Sequence, residues 1–279
     1  MAGKKILFVA GGIILAIILV LGVGYYLLNS DSIITAQLHL ESGNVLVNGQ
    51  DALDGSILNE GDTIETAANS AATVILYESV LISLEPNTKI SLNDLTRDNP
   101  QISQEKGETW NKFTKLSGVT AYSISSGNSV ASVRGTAFAF KDKKIVTGEG
   151  EVDFEVDGEK FLVRENRVVE KLNNKAAERD ANNEEKQIIS KHNERTIKAL
   201  KRLRDKQIEK NPKVFGLVKS RLGLDDAQIK RYFEDADEGK INIEEVAKKS
   251  PIRLKAIDRV ADITKKIQEI KRTRNASLS

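Results

Sequence analysis

The sequence predicts three segments in succession: an N-terminal transmembrane helix, an all-β domain built as a sandwich or short solenoid, and an α-helical bundle or coiled-coil segment. Three observations predict this order. Ile6 to Leu28 is apolar and carries no charge. Over residues 35–170, short apolar stretches alternate with turn residues. Over residues 173–279, apolar residues recur at spacings of three and four in a highly charged background. Long apolar runs, short punctuated stretches and 3.6-residue periodicity are the signatures of a membrane span, strands and amphipathic helices respectively.

The first segment is 23 residues long. At about 1.5 Å of rise per residue, such a helix covers a hydrocarbon core of roughly 30 Å. Lys4 and Lys5 precede it and Asp31 is the first charge beyond it. The positive-inside rule then places residues 1–5 in the cytoplasm and the bulk of the chain outside. The expectation is a single-pass plasma-membrane protein held in lipid through residues 6–28. A cleaved signal peptide has a shorter apolar region and a small-residue cleavage site, and Tyr25–Asn29 offers none.

The chain has no Cys, so disulfides, zinc–thiolate sites and thiol nucleophiles are excluded. A disulfide-free exterior suits a prokaryotic surface protein. Charge is unevenly spread: 14 basic and 22 acidic residues lie before position 171, and 28 and 18 from there on. Two bodies with different surfaces are expected.

In the β segment, Asn48-Gly49 suits a tight hairpin because both residues tolerate positive φ. Asp54-Gly55 and Glu60-Gly61-Asp62 mark further turns. Ala72–Tyr77, Val80–Leu84 and Lys89–Leu92 read as strands. Val130–Phe140, Lys144–Val146, Glu151–Val156, Lys160–Val163 and Arg167–Val169 continue the series.

Several spaced residues here resemble a FecR-type domain. They are Val45-x-Val47-x-Gly49, Gly55-x-x-Leu58-x-x-Gly61-Asp62-x-Ile64-x-Thr66 and Asn69-Ser70-x-Ala72. Pro86-Asn87-Thr88-x-Ile90, Gly107-Glu108-x-Trp110 and Val133-Arg134-Gly135-Thr136-x-Phe138 follow in the same order. The resemblance covers residues 40–145. It implies the exported part of a signalling regulator that relays a receptor's state to a sigma factor through a cytoplasmic N-terminal domain. Five residues ahead of the expected span are too few for such a domain, so the resemblance implies a binding β domain with a sigma-regulator role as the lesser alternative. Gly61, Asp62, Gly107, Trp110, Gly135, Thr136 and Phe138 are expected to be structural. Arg134 carries a rigid five-donor fork, suited either to clamp backbone carbonyls or to recognise a partner.

Glu149, Glu151, Asp153, Glu155, Asp157 and Glu159 alternate with apolar residues or glycine. Alternate strand residues share a face, so these carboxylates form one row. The candidate partner-binding residues are therefore Arg134, Glu151, Asp153, Glu155 and Asp157. The row reads as a solvated face, as a divalent-cation surface, or as a docking strip for a basic partner. The chain's own basic residues 173–279 are the nearest such partner.

The helical segment opens with a long charged helix carrying Ile188, Ile189, Ile197, Leu200 and Leu203. Pro212 ends it, Gly223 caps the next helix, and Ser250-Pro251 opens the last. Asp235-x-Asp237-x-Gly239 departs from a calcium loop because its Gly falls one residue early. No metal, cofactor or catalytic residue is assigned. His39 and His192 are expected to be solvated, no nucleophile or phosphate motif is present, and few aromatics argue against a nucleic-acid surface. The expected function is a non-enzymatic membrane-anchored module binding a protein or glycan; a structural coiled-coil oligomer is the alternative.

Overall fold

A computed structural model describes residues 35–173, 175–243, 245 and 254–278. Among these, the chain folds into two twisted sheets and four helices. Sheet A runs in the order β1 (Ala36–Ser42), β5 (Ala71–Leu76), β6 (Val80–Leu84), β9 (Thr109–Phe113), β12 (Ala137–Lys141), β13 (Lys144–Glu149), β16 (Arg167–Leu172) and β17 (Lys175–Asp180). Sheet B runs β15 (Glu159–Arg164), β14 (Glu151–Val156), β11 (Ser129–Val133), β10 (Tyr122–Ser126), β8 (Gln101–Lys106), β7 (Lys89–Asp94), β4 (Thr63–Thr66), β2 (Val45–Val47) and β3 (Gln50–Asp51). Neighbours pair antiparallel except β8 with β10, which are parallel because the strand between them, β9, belongs to the other sheet.

The sheets stack as a sandwich over one apolar core. Val74, Ile82, Phe138, Phe140 and Val169 project from sheet A, and Ile64, Ile90, Ile124, Phe154 and Val163 from sheet B. Alternation explains this, since every second residue of a strand faces inward. A chain of hydrogen bonds crosses the core. The Tyr122 hydroxyl donates to Asn111 Oδ1 at 2.7 Å, and Asn111 Nδ2 donates to Thr109 Oγ1 at 2.9 Å. Thr109 Oγ1 in turn donates to Gln104 Oε1 at 2.8 Å.

The expected single stretch Val130–Phe140 is two strands in different sheets. The chain crosses from β11 to β12 at Arg134-Gly135-Thr136, with Gly135 at φ 116°. The strand series also continues to Asp180, beyond residue 173 where helix was expected.

Helix α1 (Asn183–Lys210) follows, then α2 (Pro212–Leu222), α3 (Asp226–Asp237) and α4 (Lys255–Leu278). Gly223 caps α2 in the left-handed conformation, and Asp225 with Gln228 forms a capping box for α3. The chain divides into two compact units, Ile33–Leu203 with Lys266–Ser279, and Arg204–Lys265 within the described remainder. The second unit has small apolar clusters, Val214 with Leu254 and Ala256, and Ala236 with Ile243 and Ala261. Arg204 is buried there, paired with Asp237 and 4.7 Å from the Phe233 ring centroid.

The transmembrane expectation is corrected. Its residues 6–28 lie outside the described residues, and among those described no helix is long and apolar enough to cross a membrane. The two longest helices, α1 and α4, bury one apolar stripe against protein and carry charges round the rest. The single-pass plasma-membrane location, the signal anchor and the cell-surface placement therefore find no support in the fold. What the fold supports is a two-sheet β body followed by amphipathic helices.

Candidate functional site

The two sheets differ in what covers their outer faces. On sheet A, Trp110, Ala137, Ala139, Val146 and Val168 form a second apolar cluster, closed by Ala181 and by Ile189 of α1. On sheet B, the outer face is open among the described residues. Its rows are Ser91, Ser103 and Ser125 across β7, β8 and β10, and Ser123 and Ser132 across β10 and β11. Small hydroxyls link along it, Ser123 Oγ lying 3.2 Å from Ser132 Oγ.

The open face ends at β14 and β15, where its character changes. Asp153 lies opposite Ser132 on one side and Leu162 on the other. Glu155 lies between Val130 and Lys160. Val130 is 39% exposed and Leu162 42%. These six residues line a shallow depression of about 430 Å³. Glu151 pairs with Arg164 at 3.1 Å and Glu155 with Lys160 at 3.6 Å. Among the described residues, Asp153 enters no ion pair. Exposed pairs of this kind are weak and exchange readily, so an incoming cation can displace Lys160. The depression thus offers two carboxylates bracketed by two apolar side chains.

The six-carboxylate row expected from alternation is shorter. Glu151, Asp153 and Glu155 share the open face of β14, but Asp157 lies past the strand end, with φ 47°. There it accepts hydrogen bonds from Lys171, Lys143 and Asn128, which hold its carboxyl far below the usual range. Glu149 ends β13 in the other sheet and pairs with the buried Lys112. Among the described residues, the ion pairs of Glu151, Glu155 and Asp157 are made within the β body. The counter-charges of β14 come from β15, and those of Asp157 from β16 and the β12–β13 turn.

Arg134 is exposed at the crossing between sheets and makes no hydrogen bond or ion pair among the described residues. Thr136 and Phe138 beside it are buried. Trp110 is buried on the outer face of sheet A. Asp62 accepts from Asn59 N and from Asn48 Nδ2, both at 2.7 Å, which ties the Gly61 turn to the β2–β3 hairpin. Gly107 turns the chain from β8 to β9 against Thr88.

Residues 62–164 match the family model described as FecR protein. This β body carries a FecR domain. The match begins at the Asp62 turn and ends at Arg164, the last residue of β15, so the depression lies inside it. Two crystal structures of a candidate anti-sigma factor from Parabacteroides distasonis are also similar. Each is 15% identical, covers 43% of this chain and 60% of its own, and has a TM-score of 0.39. The likeness spans less than two thirds of that protein's length. Among curated proteins, none matches.

The sequence singles out Glu151, Asp153 and Glu155 as candidates but not Val130, Ser132 and Leu162, which line the same depression. Ser129–Val133 and Glu159–Arg164 have apolar residues of both parities, so alternation alone does not say which face Val130 or Leu162 joins.

Proposed function

We propose that this chain is a non-enzymatic regulator of signal transduction whose FecR domain binds a protein partner on the open face of sheet B. In this reading Asp153 and Glu155 receive a Lys or Arg of the partner, and Val130 and Leu162 receive its apolar neighbours. The observation that carries the reading is the contrast between the faces: sheet A is roofed by α1, while sheet B ends in an exposed acidic and apolar depression within the FecR domain. Apolar anchors flanked by charges fit a protein interface, the charges setting register and encounter rate. A glycan is less well served, because among the described residues no aromatic ring is exposed for a sugar to stack on.

The test is site-specific photo-crosslinking in cells from residue 130 or 162, with exposed Leu172 on sheet A as the control position. The expected result is one discrete protein product from 130 and 162, absent from 172 and lost when Asp153→Lys and Glu155→Lys are combined. Equal products from all three positions, or products that survive the charge reversal, would overturn the reading. A product consisting of a second copy of this chain would favour the structural-oligomer reading instead.

A further inference from the structure

We propose that helix α1 is a displaceable strap over the outer face of sheet A, held there by ion pairs, one ring stack and the apolar contact of Ile189, and that its release uncovers Trp110. The seam differs in kind from the sandwich core. Across sheet A, one row of outward residues runs His39, Thr73, Ser83, Trp110, Ala139, Val146 and Val168. Its first three members are polar and buried, as are Glu185, His192 and Thr196 on α1. Arg195 reaches Glu85 and lies 3.8 Å from Glu41, and Lys191 lies 3.9 Å from Glu85. At the helix start, Lys144 pairs with Glu185 at 2.8 Å.

Packing along the seam is incomplete. Two open grooves, of about 490 and 360 Å³, run beside α1 and share Glu108, Lys141 and Ile188. The ring of His192, 2% exposed, stacks on Trp110, 1% exposed, with centroids 4.9 Å apart and planes 6° apart. Neither Trp110 Nε1 nor His192 Nδ1 has a hydrogen-bond partner in the described structure. Orphaned buried donors and acceptors regain water when the seam opens, so they favour release. In the apolar cluster over Trp110, Ile189 is the residue that α1 contributes, and segments fastened by few buried apolar contacts open at lower free energy than the global fold.

His192 makes the strap sensitive to pH. Glu85 faces it, 3.7 Å from Nε2, and Glu108 and Lys141 line the adjoining groove. Burial, then Arg195 and Lys191, hold its pKa down at about 3. A released His192 returns to about 6.5. A group whose pKa is depressed in the closed form stabilises that form above the free pKa and loses this as pH falls. Below about pH 6.5, each unit therefore shifts the closed–open ratio towards open by up to about tenfold.

Trp110 is the chain's single tryptophan, so its fluorescence reads the seam directly. The experiment is acrylamide quenching of the full chain from pH 7.5 to 5.0, with far-UV circular dichroism recorded in parallel. The expected result is a rise of about twofold or more in the quenching constant at unchanged dichroism, abolished in His192→Leu. Glu85→Arg should raise quenching already at pH 7.5, and adding Arg195→Glu should restore it. Quenching that rises only together with loss of dichroism would overturn the strap, as would a pH response retained in a folded His192→Leu. If His192→Leu does not fold, failure of the charge-swapped pair to restore protection would overturn it.

Discussion

Gly107 and Gly61 both hold positive φ, at 89° and 88°, but their surroundings differ. A Cβ on Gly107 would lie 2.3 Å from Thr88 Oγ1 and 2.4 Å from Thr88 Cα. Thr88 cannot yield easily, because its Oγ1 donates to Glu108 O and accepts from Glu108 N, both at 3.0 Å. Around Gly61 there is open space. Gly107→Ala is expected to destabilise by about 3 kcal/mol or more, from strain plus overlap, and Gly61→Ala by about 1–2 kcal/mol, from strain alone. Equal urea midpoints for the two variants would contradict that assignment. In the core, Tyr122→Phe removes the donor to buried Asn111 Oδ1. A loss of about 1–3 kcal/mol is expected in urea unfolding, the cost of an unmet buried acceptor.

At the scale of elements, α1 begins at a reciprocal cap. Asn182 Oδ1 accepts from Glu185 N, and Glu185 Oε2 accepts from Asn182 N, each at 2.9 Å. Arg179 adds two hydrogen bonds to the same carboxylate at 2.7 Å. Asn182→Ala is expected to cost about 1 kcal/mol, seen as faster amide exchange over the first turns of α1. Hydrogen bonding from Arg179 is the leading cause that lowers Glu185 to a pKa of about 2. Its contribution is present above about pH 4.5 and disappears as pH falls towards 2. Glu185→Gln should therefore flatten the acid limb of the unfolding profile between pH 4.5 and 2 and leave the shape above pH 5 unchanged. The effect expected for His192 begins higher, at about pH 6.5, so the range from pH 6.5 to 5 reads His192 apart from Glu185. Turns and caps of this kind were legible in the sequence, as at Asn48-Gly49 and Gly223, because they depend on residues a few positions apart. Strands β8 and β10 were not, because QISQEK and YSISS place polar residues on the open face and read as loop.

For the molecule as a whole, the two sheets are joined where Phe140 of sheet A meets Phe154 of sheet B edge to face, with centroids 6.3 Å apart. A double-mutant cycle with Phe140→Leu and Phe154→Leu is expected to give a coupling of about 0.5–1.5 kcal/mol. Coupling near zero would mean the sheets are not joined through this pair. Reversing Asp153 and Glu155 on the open face is expected to leave urea stability within about 0.5 kcal/mol, since neither supports the core. By itself, the sequence determined the β class of residues 35–170, several turns such as Asn48-Gly49, the amphipathic helices and the FecR motifs, all of which rest on local spacing. Tertiary structure alone decided that α1 roofs sheet A, that Asp157 turns away from Asp153, and that His192 is buried on Trp110. Alternation assigns each strand residue to one of two faces. Which face is then covered depends on elements far away in sequence, as Ile189 is from Trp110, and no local pattern records that.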